Sequence, residues 1–534
     1  MNEKKKLRLK KFHLHPITAF ILLTFLTIIL SGILSLIGAQ ATYTTVNAVT
    51  GNLETNLVVV ENLFGFDGLK YIISSATKNF VSFTTLSNLL IALIGLGICQ
   101  ATGLFDTFIK RVLSKLDNRK LTFLIIFFAT ISSLINDIGY VVLIPLAAIT
   151  FHKNNRNPLA GIIAAFCGVA FGYGVTLFVG SMEVNLVPIS ELSARLIDNT
   201  YHVALTSNLI IIIITSIILS IAGTIIMEKV IIPRLGKYST RIENDFSKTT
   251  EIEVKDDIED EEQRKLKEEI YERKGMKNAA IVAIIYLIIF IYSLIPNLPL
   301  SGLLLDMNEA TYLRQVFGPN AYFQDSFTFI VSLFFVLTGL AYGFAAKTIK
   351  NDKDLLVGSS KYIQEVTLLI PMVFFATEFV AIFRKTNIAT LITAFGANLI
   401  NNLNFTGLPL IILIVFVLAI INLFNTTAAG KWVILAPVVI PKLMQSNITP
   451  EFGQFLLRAT DSMTKGITPL LTYFVIFIGY LNIYNPNKNK PFTIGKALKL
   501  IMPYCLIISL VWIVIILLWY LTGLPISSGV YPTI

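Results

Sequence analysis

The sequence predicts an all-α polytopic membrane protein, with nine transmembrane helices plus two re-entrant helical hairpins arranged as an inverted repeat. Three observations lead there. Of 534 residues, 54% are hydrophobic and only 14% are charged, far below the roughly 25% charged residues of soluble domains. The apolar residues form continuous runs of roughly 18 to 25, long enough to cross the hydrocarbon core as helices, and do not alternate as strands of a barrel would. Two further apolar stretches are broken in the middle, leaving halves of about 12 residues that are too short to span alone.

Taken in order, residues 1–16 form a basic cytoplasmic terminus carrying Lys4, Lys5, Lys6, Arg8, Lys10 and Lys11. The first membrane half covers 17–233, with spans predicted at 17–38, 85–104, 159–181 and 204–228. The first segment is about twice the length of a signal-peptide core and is read as a retained span. Hairpin 1 lies at 121–151, interrupted by Ser132-Ser133-Leu134-Ile135-Asn136-Asp137-Ile138-Gly139. A charged cytoplasmic linker follows at 234–277, read as a solvated connector. The second half, 278–534, carries spans at 278–296, 326–346, 362–383, 452–482 and 498–522. Hairpin 2 lies at 408–445, interrupted by Asn425-Thr426-Thr427-Ala428-Ala429-Gly430-Lys431-Trp432. A polar break at membrane depth is tolerated only where protein or a wet cavity surrounds it. Both breaks are therefore read as hairpin tips.

The charge distribution supports this path. With the N-terminus inside, the cytoplasmic segments hold about three quarters of the 43 lysines and arginines, and the bias is lost if either hairpin is made to span. The C-terminus then lies outside, and the expected location is a bacterial inner or plasma membrane. The net charge of +10 is thus loop bias and implies no nucleic-acid partner. Cys99, Cys167 and Cys505 lie far apart in apolar runs, with neither a metal nor a disulfide pattern. His13, His15, His152 and His202 sit at span ends or in loops without metal-ligand spacing.

The two hairpin regions resemble each other at a constant offset of 292 residues. Tyr140-Val-Val-Leu-Ile-Pro145 matches Trp432-Val-Ile-Leu-Ala-Pro437, Pro158 matches Pro450, and Gly161 matches Gly453. Each proline opens a helix, where its missing N–H is not needed. Each helix then meets a break, at Gly168–Gly174 in the first repeat and Thr460–Gly466 in the second. The charge rule opens the first hairpin to the cytoplasm and the second to the outside. Inverted repeats with paired broken helices are the architecture of secondary transporters, with the site where the breaks meet.

Ionisable residues at membrane depth are few: Asp137, Lys431, Arg458, Asp461 and Lys465, with Glu378 a sixth candidate. Each is costly in lipid unless paired or hydrated. Arg458 and Asp461 are three apart and share a helix face. Either they form an internal salt bridge, or Arg458 binds a substrate carboxylate in a bidentate fork and Asp461 handles a coupling cation. Asp137, at a hairpin tip without a basic neighbour in sequence, suits a proton or sodium ion. Thr464 and Lys465 adjoin Asp461 and join the coupling group. Trp432 is either a stacking surface for an aromatic substrate or a packing anchor. Asn136 accompanies Asp137 as a substrate-binding candidate, while Gly430, Pro450 and Pro469 shape the helix breaks. The expected partner is a small organic anion, with sodium or a proton as the coupling ion. Sodium would sit near Asp137 or Asp461; no other metal and no cofactor is expected.

Asn136-Asp137-Ile-Gly-Tyr-Val-Val-Leu-Ile-Pro-Leu, Ala-Ala-Gly-Lys431-Trp432-Val-Ile-Leu-Ala-Pro437 and Arg458-Ala-Thr-Asp461-Ser-Met-Thr-Lys-Gly-Ile-Thr-Pro469-Leu together resemble the p-aminobenzoyl-glutamate transporter family (AbgT type). The resemblance runs in order over nearly the whole chain. It implies a homodimer, nine spans and two hairpins per subunit, and cation-coupled movement of p-aminobenzoyl-glutamate or export of sulfonamide-type antimetabolites. Positions to which it assigns functional weight fall on Asp137, Trp432, Pro450, Arg458, Asp461 and Pro469, all carrying the family residue. Three positions depart from the pattern: Ala429 for serine, Thr176 for asparagine, and Lys465 for asparagine. The ammonium of Lys465 beside Asp461 is expected to weaken any sodium position there.

Other classes fit less well. A channel needs rings of polar groups along a pore, whereas here they gather at paired breaks. An enzyme needs a nucleophile with a base, or a metal set, and no such motif is found. A primary pump needs a phosphate-binding loop, which is absent from the sequence.

Overall fold

The computed structural model describes residues 14–135, 137–236, 238 and 261–534. The basic terminus through His13, Asn136, and linker residues 237 and 239–260 lie outside the described residues.

In the first half, helix α1 (Pro16–Leu36) leads to strands β1 (Gln40–Val46) and β2 (Leu53–Val59). Then come α2 (Phe66–Val81), α3 (Thr84–Thr102), α4 (Leu104–Arg111), α5 (Asn118–Ile131), α6 (Ile138–Lys153), α7 (Pro158–Phe171), α8 (Ser181–Ala194), α9 (Leu209–Ile226) and the short α10 (Ile232–Leu235). The second half holds α11 (Glu261–Tyr292), α12 (Tyr312–Phe317), α13 (Tyr322–Ala346), α14 (Asp352–Val366), α15 (Leu369–Lys385) and α16 (Ile388–Asn402). It closes with α17 (Gly407–Asn422), α18 (Ala428–Gln445), α19 (Pro450–Thr464), α20 (Phe474–Ile483) and α21 (Ile494–Thr522). The protein is mostly helical and membrane-embedded. Among the described residues, 7 helices are long and apolar enough to cross a membrane.

Several elements differ from expectation. The chain is not purely α, because β1 and β2 form an antiparallel hairpin pairing Gln40 with Val59 and Val46 with Leu53. The run Gln-Ala-Thr-Tyr-Thr-Thr-Val is rich in β-branched residues, and Gly51 supplies the positive φ (69°) its turn requires. Three of the nine expected spans are not single helices. The 159–181 segment stops being helical after Phe171, the 362–383 segment is divided between α14 and α15, and the 452–482 segment is divided between α19 and α20. The second break does not match the expected 425–432 interruption. Helix α18 starts at Ala428 behind Thr427, so Gly430, Lys431 and Trp432 lie in its first turns. Ala428 and Ala429 are good helix formers and extend the helix toward the tip. Helices α2, α8 and α16 occupy stretches with no expected span.

The 292-residue offset also relates helix boundaries. It carries Lys153, the end of α6, onto Gln445, the end of α18, and Pro158 onto Pro450, the first residues of α7 and α19. Both prolines sit behind a capping side chain: Asn157 accepts from Leu159 N at 3.0 Å, and Thr449 accepts from Phe452 N at 3.4 Å. Gly161 and Gly453 also occupy like positions. A Cβ on Gly161 would lie 2.4 Å from the Ala147 carbonyl oxygen of α6, and one on Gly453 would lie 2.6 Å from Leu443 Cδ1 of α18. The missing side chains let α7 and α19 lie close against the preceding helices. Gly161→Ala is therefore expected to destabilise the protein by about 1–3 kcal/mol through overpacking. The control Gly495→Ala, with nothing within 4 Å of its added Cβ, should cost nothing. Thermal melting of both variants in detergent checks this.

The core joins the two halves of the chain. Tyr140 of α6 stacks on Tyr473 just before α20, with centroids 5.0 Å apart and planes 11° from parallel. Phe166 of α7 stacks on Phe477 of α20 at 4.0 Å. Such aromatic pairs contribute about 0.5–1.5 kcal/mol each beyond area burial. All three cysteines are free and buried in this core.

Candidate functional site

The site forms where the two helix breaks meet. Helix α7 ends at Gly172-Tyr173-Gly174, with Gly174 at φ 90°. The left-handed conformation favours glycine, and a Cβ there would lie 3.2 Å from Arg458 Cβ. The freed Gly174 carbonyl, no longer held in a helix, accepts from Arg458 Nε at 2.7 Å. Helix α8 restarts at Ser181. Its first-turn Glu183 accepts from the Gly180 N–H at 2.7 Å through Oε2 and pairs with Arg458 Nη1 through Oε1. One carboxylate thus caps a helix N-terminus and neutralises a buried guanidinium. Arg458 Nη2 is buried without a hydrogen bond.

Two more ion pairs lie in the same region. Lys431, in the first turns of α18, pairs with Asp461 Oδ1 of α19, and its Nζ also donates to the Asn425 carbonyl at 3.3 Å. Oδ2 of Asp461 and the polar atoms of neighbouring Asn422 are buried without a well-formed hydrogen bond. Lys465, following α19, lies 3.4 Å from Asp137 Oδ1 at the first tip and sits over the Tyr173 ring, 2.9 Å from its centroid. Lys431, Asp461, Arg458, Glu183 and Lys465 are buried, while the Asp137 side chain remains 29% exposed.

This pairing bears on three sequence-based readings. Arg458 and Asp461 share a helix face, but each pairs with a residue on another helix, not with the other. Asp137 is not unpaired, because the fold brings Lys465 to it from 328 positions away. Lys465 therefore pairs with Asp137, not with Asp461. Glu183 was not among the sequence candidates. A signal existed: a carboxylate flanked by Met182, Val184, Leu186 and Val187 needs a cation.

The remaining candidates hold the frame. Trp432 is fully buried, its Nε1 donating to Ser190 Oγ of α8 at 2.9 Å, and Ser190 donates to Gln454 Oε1 of α19 at 2.9 Å. The indole thus ties α18 to α8. Thr464 donates to the Thr460 carbonyl at 3.1 Å and is half-buried. Pro450 opens α19, Pro469 lies in the break after it, and Gly430 is in the first turn of α18. Of the departures, Thr176 donates to the Phe178 carbonyl within the first break, and Ala429 is half-buried near the second tip. Glu378 lies apart on α15, held by Asn79 Nδ2 at 3.3 Å. Among the described residues, no group of three or more His, Cys, Asp or Glu side chains could hold a metal ion.

The profile of the "AbgT putative transporter family" matches residues 11–534. The p-aminobenzoyl-glutamate transport protein of Escherichia coli (strain K12) is 28% identical over 518 residues, covering 97% of this chain and 94% of that protein. The crystal structure of the Alcanivorax borkumensis YdaH transporter, described as having an unusual topology, is 28% identical; the match covers 96% of this chain and 100% of that one, with a TM-score of 0.46. The structure of Neisseria gonorrhoeae MtrF, described as illuminating a class of antimetabolite efflux pumps, is 28% identical; the match covers 97% and 98% of the two chains, with a TM-score of 0.47. With the family profile matched from residue 11 to residue 534, the chain belongs to the AbgT family and is a membrane transporter, not an enzyme.

Proposed function

We propose that this protein is a cation-coupled secondary transporter of p-aminobenzoyl-glutamate or related aromatic, folate-derived anions, a chemistry that extends to export of sulfonamide antimetabolites. The observation that carries the reading is the trio of ion pairs at the paired helix breaks, two of which cross between the repeats. Arg458–Glu183 and Lys465–Asp137 each join a residue of the second repeat to one of the first. Relative movement of the repeats must break or exchange them, which is what alternating access requires. Within this reading the subunit has nine spans and two re-entrant hairpins as an inverted repeat, with the N-terminus cytoplasmic, the C-terminus external and a second subunit completing a homodimer in a bacterial inner or plasma membrane.

The geometry sets terms for substrate binding. Glu183 and Gly174 already occupy two of the Arg458 nitrogens, and only Nη2 is unpaired. A substrate carboxylate gains its bidentate fork by displacing Glu183. The displaced glutamate, in a dry site, is stabilised by taking a proton. Binding the anion and binding a proton are then one event.

The same logic favours a proton over sodium. Asp137 and Asp461 each already face an ammonium group, and a sodium ion at either would have to evict it. Lys465→Asn removes the tethered cation from Asp137 and is expected to make transport dependent on sodium. The test is uptake of labelled p-aminobenzoyl-glutamate into proteoliposomes under imposed proton or sodium gradients. Proton-driven uptake that saturates with substrate supports the reading and separates it from a channel. Sodium-driven uptake by the unaltered protein removes the proton assignment. With folded protein and sulfonamide flux measured in parallel, no uptake under either gradient removes the substrate class and leaves another small organic anion, such as a carboxylate, as the cargo.

A further inference from the structure

A polar cavity lies away from the ion pairs, between α2, the end of β2 and α15. Its volume is about 440 Å³, and its walls include Glu61, Tyr71, Asn79, Thr377, Arg384 and Lys385. That volume is within the roughly 300–1,000 Å³ of small-molecule sites. Its charges are unequally committed. Lys385 is neutralised by Glu61 at 2.6 Å and lies over the Tyr71 ring, 5.5 Å from its centroid. Arg384 lines the same cavity, yet no acidic side chain among the described residues pairs with it. Two helical turns earlier on the same face, Thr377 is 2% exposed, and its hydroxyl is buried without a hydrogen bond. A guanidinium at one end and an unsatisfied hydroxyl at the other, about 10 Å apart along the helix, fit an elongated anionic ligand that also carries hydroxyl or ester oxygens.

The surroundings identify the anion. Helix α2 forms one wall and turns Phe66, Leu69 and Ile73 outward, all exposed and spaced along one face. An amphipathic helix with an exposed apolar face lies in the boundary between headgroups and acyl chains. A cavity walled by such a helix meets phosphate esters with apolar tails at its rim. Guanidinium groups bind phosphate oxygens in two-point hydrogen bonds.

We propose that this cavity binds a phosphate ester, with its phosphate on Arg384, its glycerol oxygens toward Thr377, and its acyl chains along the outer face of α2. A membrane phospholipid and a soluble phosphate ester share this chemistry, and the test separates them.

Full-length protein, stripped of lipid in detergent, is titrated with phosphatidylglycerol, with diacylglycerol (the same chains without phosphate) and with glycerol 1-phosphate (the phosphate without chains). Binding is read by native mass spectrometry. The expected result is saturable binding of phosphatidylglycerol and little of diacylglycerol. Arg384→Gln should weaken the phospholipid about tenfold or more, the loss of a charge-assisted contact. Thr377→Val should weaken it about threefold, and Lys350→Gln, at an exposed position outside the cavity, should have no effect. Equal binding of glycerol 1-phosphate and the lipid would assign the same site to a soluble phosphate ester. If Arg384→Gln and Thr377→Val both elute as folded protein and bind phosphatidylglycerol like the parent, or if diacylglycerol binds as tightly, the proposal is overturned. No transport measurement enters, so its failure is separate from failure of the transport reading.

Discussion

Arg458→Ala should abolish transport and lower stability by about 3–5 kcal/mol, the cost of leaving a buried ion without its partner. Both side chains of the Arg458–Glu183 pair are nearly inaccessible, at 1% and 2% exposure. Without the guanidinium, Glu183 retains the Gly180 N–H as a donor but no cation. Glu183→Ala should do comparable damage, since it strands the guanidinium and removes the cap of α8. Stability and function separate in the double variant Arg458→Met/Glu183→Met. Replacing both charges with apolar side chains should recover most of the melting temperature, while uptake stays at background because nothing remains to hold the substrate carboxylate. Thermal melting in detergent and proteoliposome uptake give the two readouts. A single Arg458→Ala variant that melts with the parent would mean that water reaches Glu183 and that the pair is not sealed.

Asp461→Ala should be as severe. Lys431 is fully buried, and among the described residues its ammonium reaches, besides Asp461, only the Asn425 carbonyl at 3.3 Å. An uncompensated charge there costs about 3–5 kcal/mol and pulls the start of α18 away from α19. Trp432 is the next residue, so its hydrogen bond to Ser190 should loosen as well. Coupled uptake is expected to vanish. Asp461→Asn, which keeps the shape and removes the charge, should fold better than the alanine variant and still fail to couple. Parental uptake in Asp461→Asn would remove this carboxylate from the coupling path.

The sequence disclosed the places where the fold would break, because polar residues inside apolar runs have few explanations. Ser132–Gly139 and the Asn425–Trp432 stretch marked two helix breaks, and Pro158 and Pro450 marked two helix starts. Partner choice was less legible. The spacing of Arg458 and Asp461 suggested that they meet, but a helix face is broad and tertiary neighbours decide. Glu183 lies 275 positions from Arg458, and Lys465 lies 328 from Asp137, distances that no local pattern encodes. Helix α8 was hidden because Glu183, Asn185, Pro188, Ser190 and Glu191 give it the composition of a loop. It is buried by α18 and α19, not by lipid, so its sequence carries no transmembrane signature. The β-hairpin escaped for the opposite reason: it is short, partly exposed, and set among much stronger helical signals.

The burial of the three cysteines has a practical consequence. Cys99 and Cys167 have no exposed surface and Cys505 has 4%, so a bulky maleimide finds almost no native target. The wild-type chain is thereby a low-background scaffold, and a cysteine introduced at a chosen tip can be tagged without first removing the natural ones. Cys167 offers more than silence. It is fully buried on α7 shortly before the break, in a helix that packs against α21, so alkylation requires its surroundings to open. Its rate of modification, followed with and without substrate, becomes a built-in clock for the opening of the site.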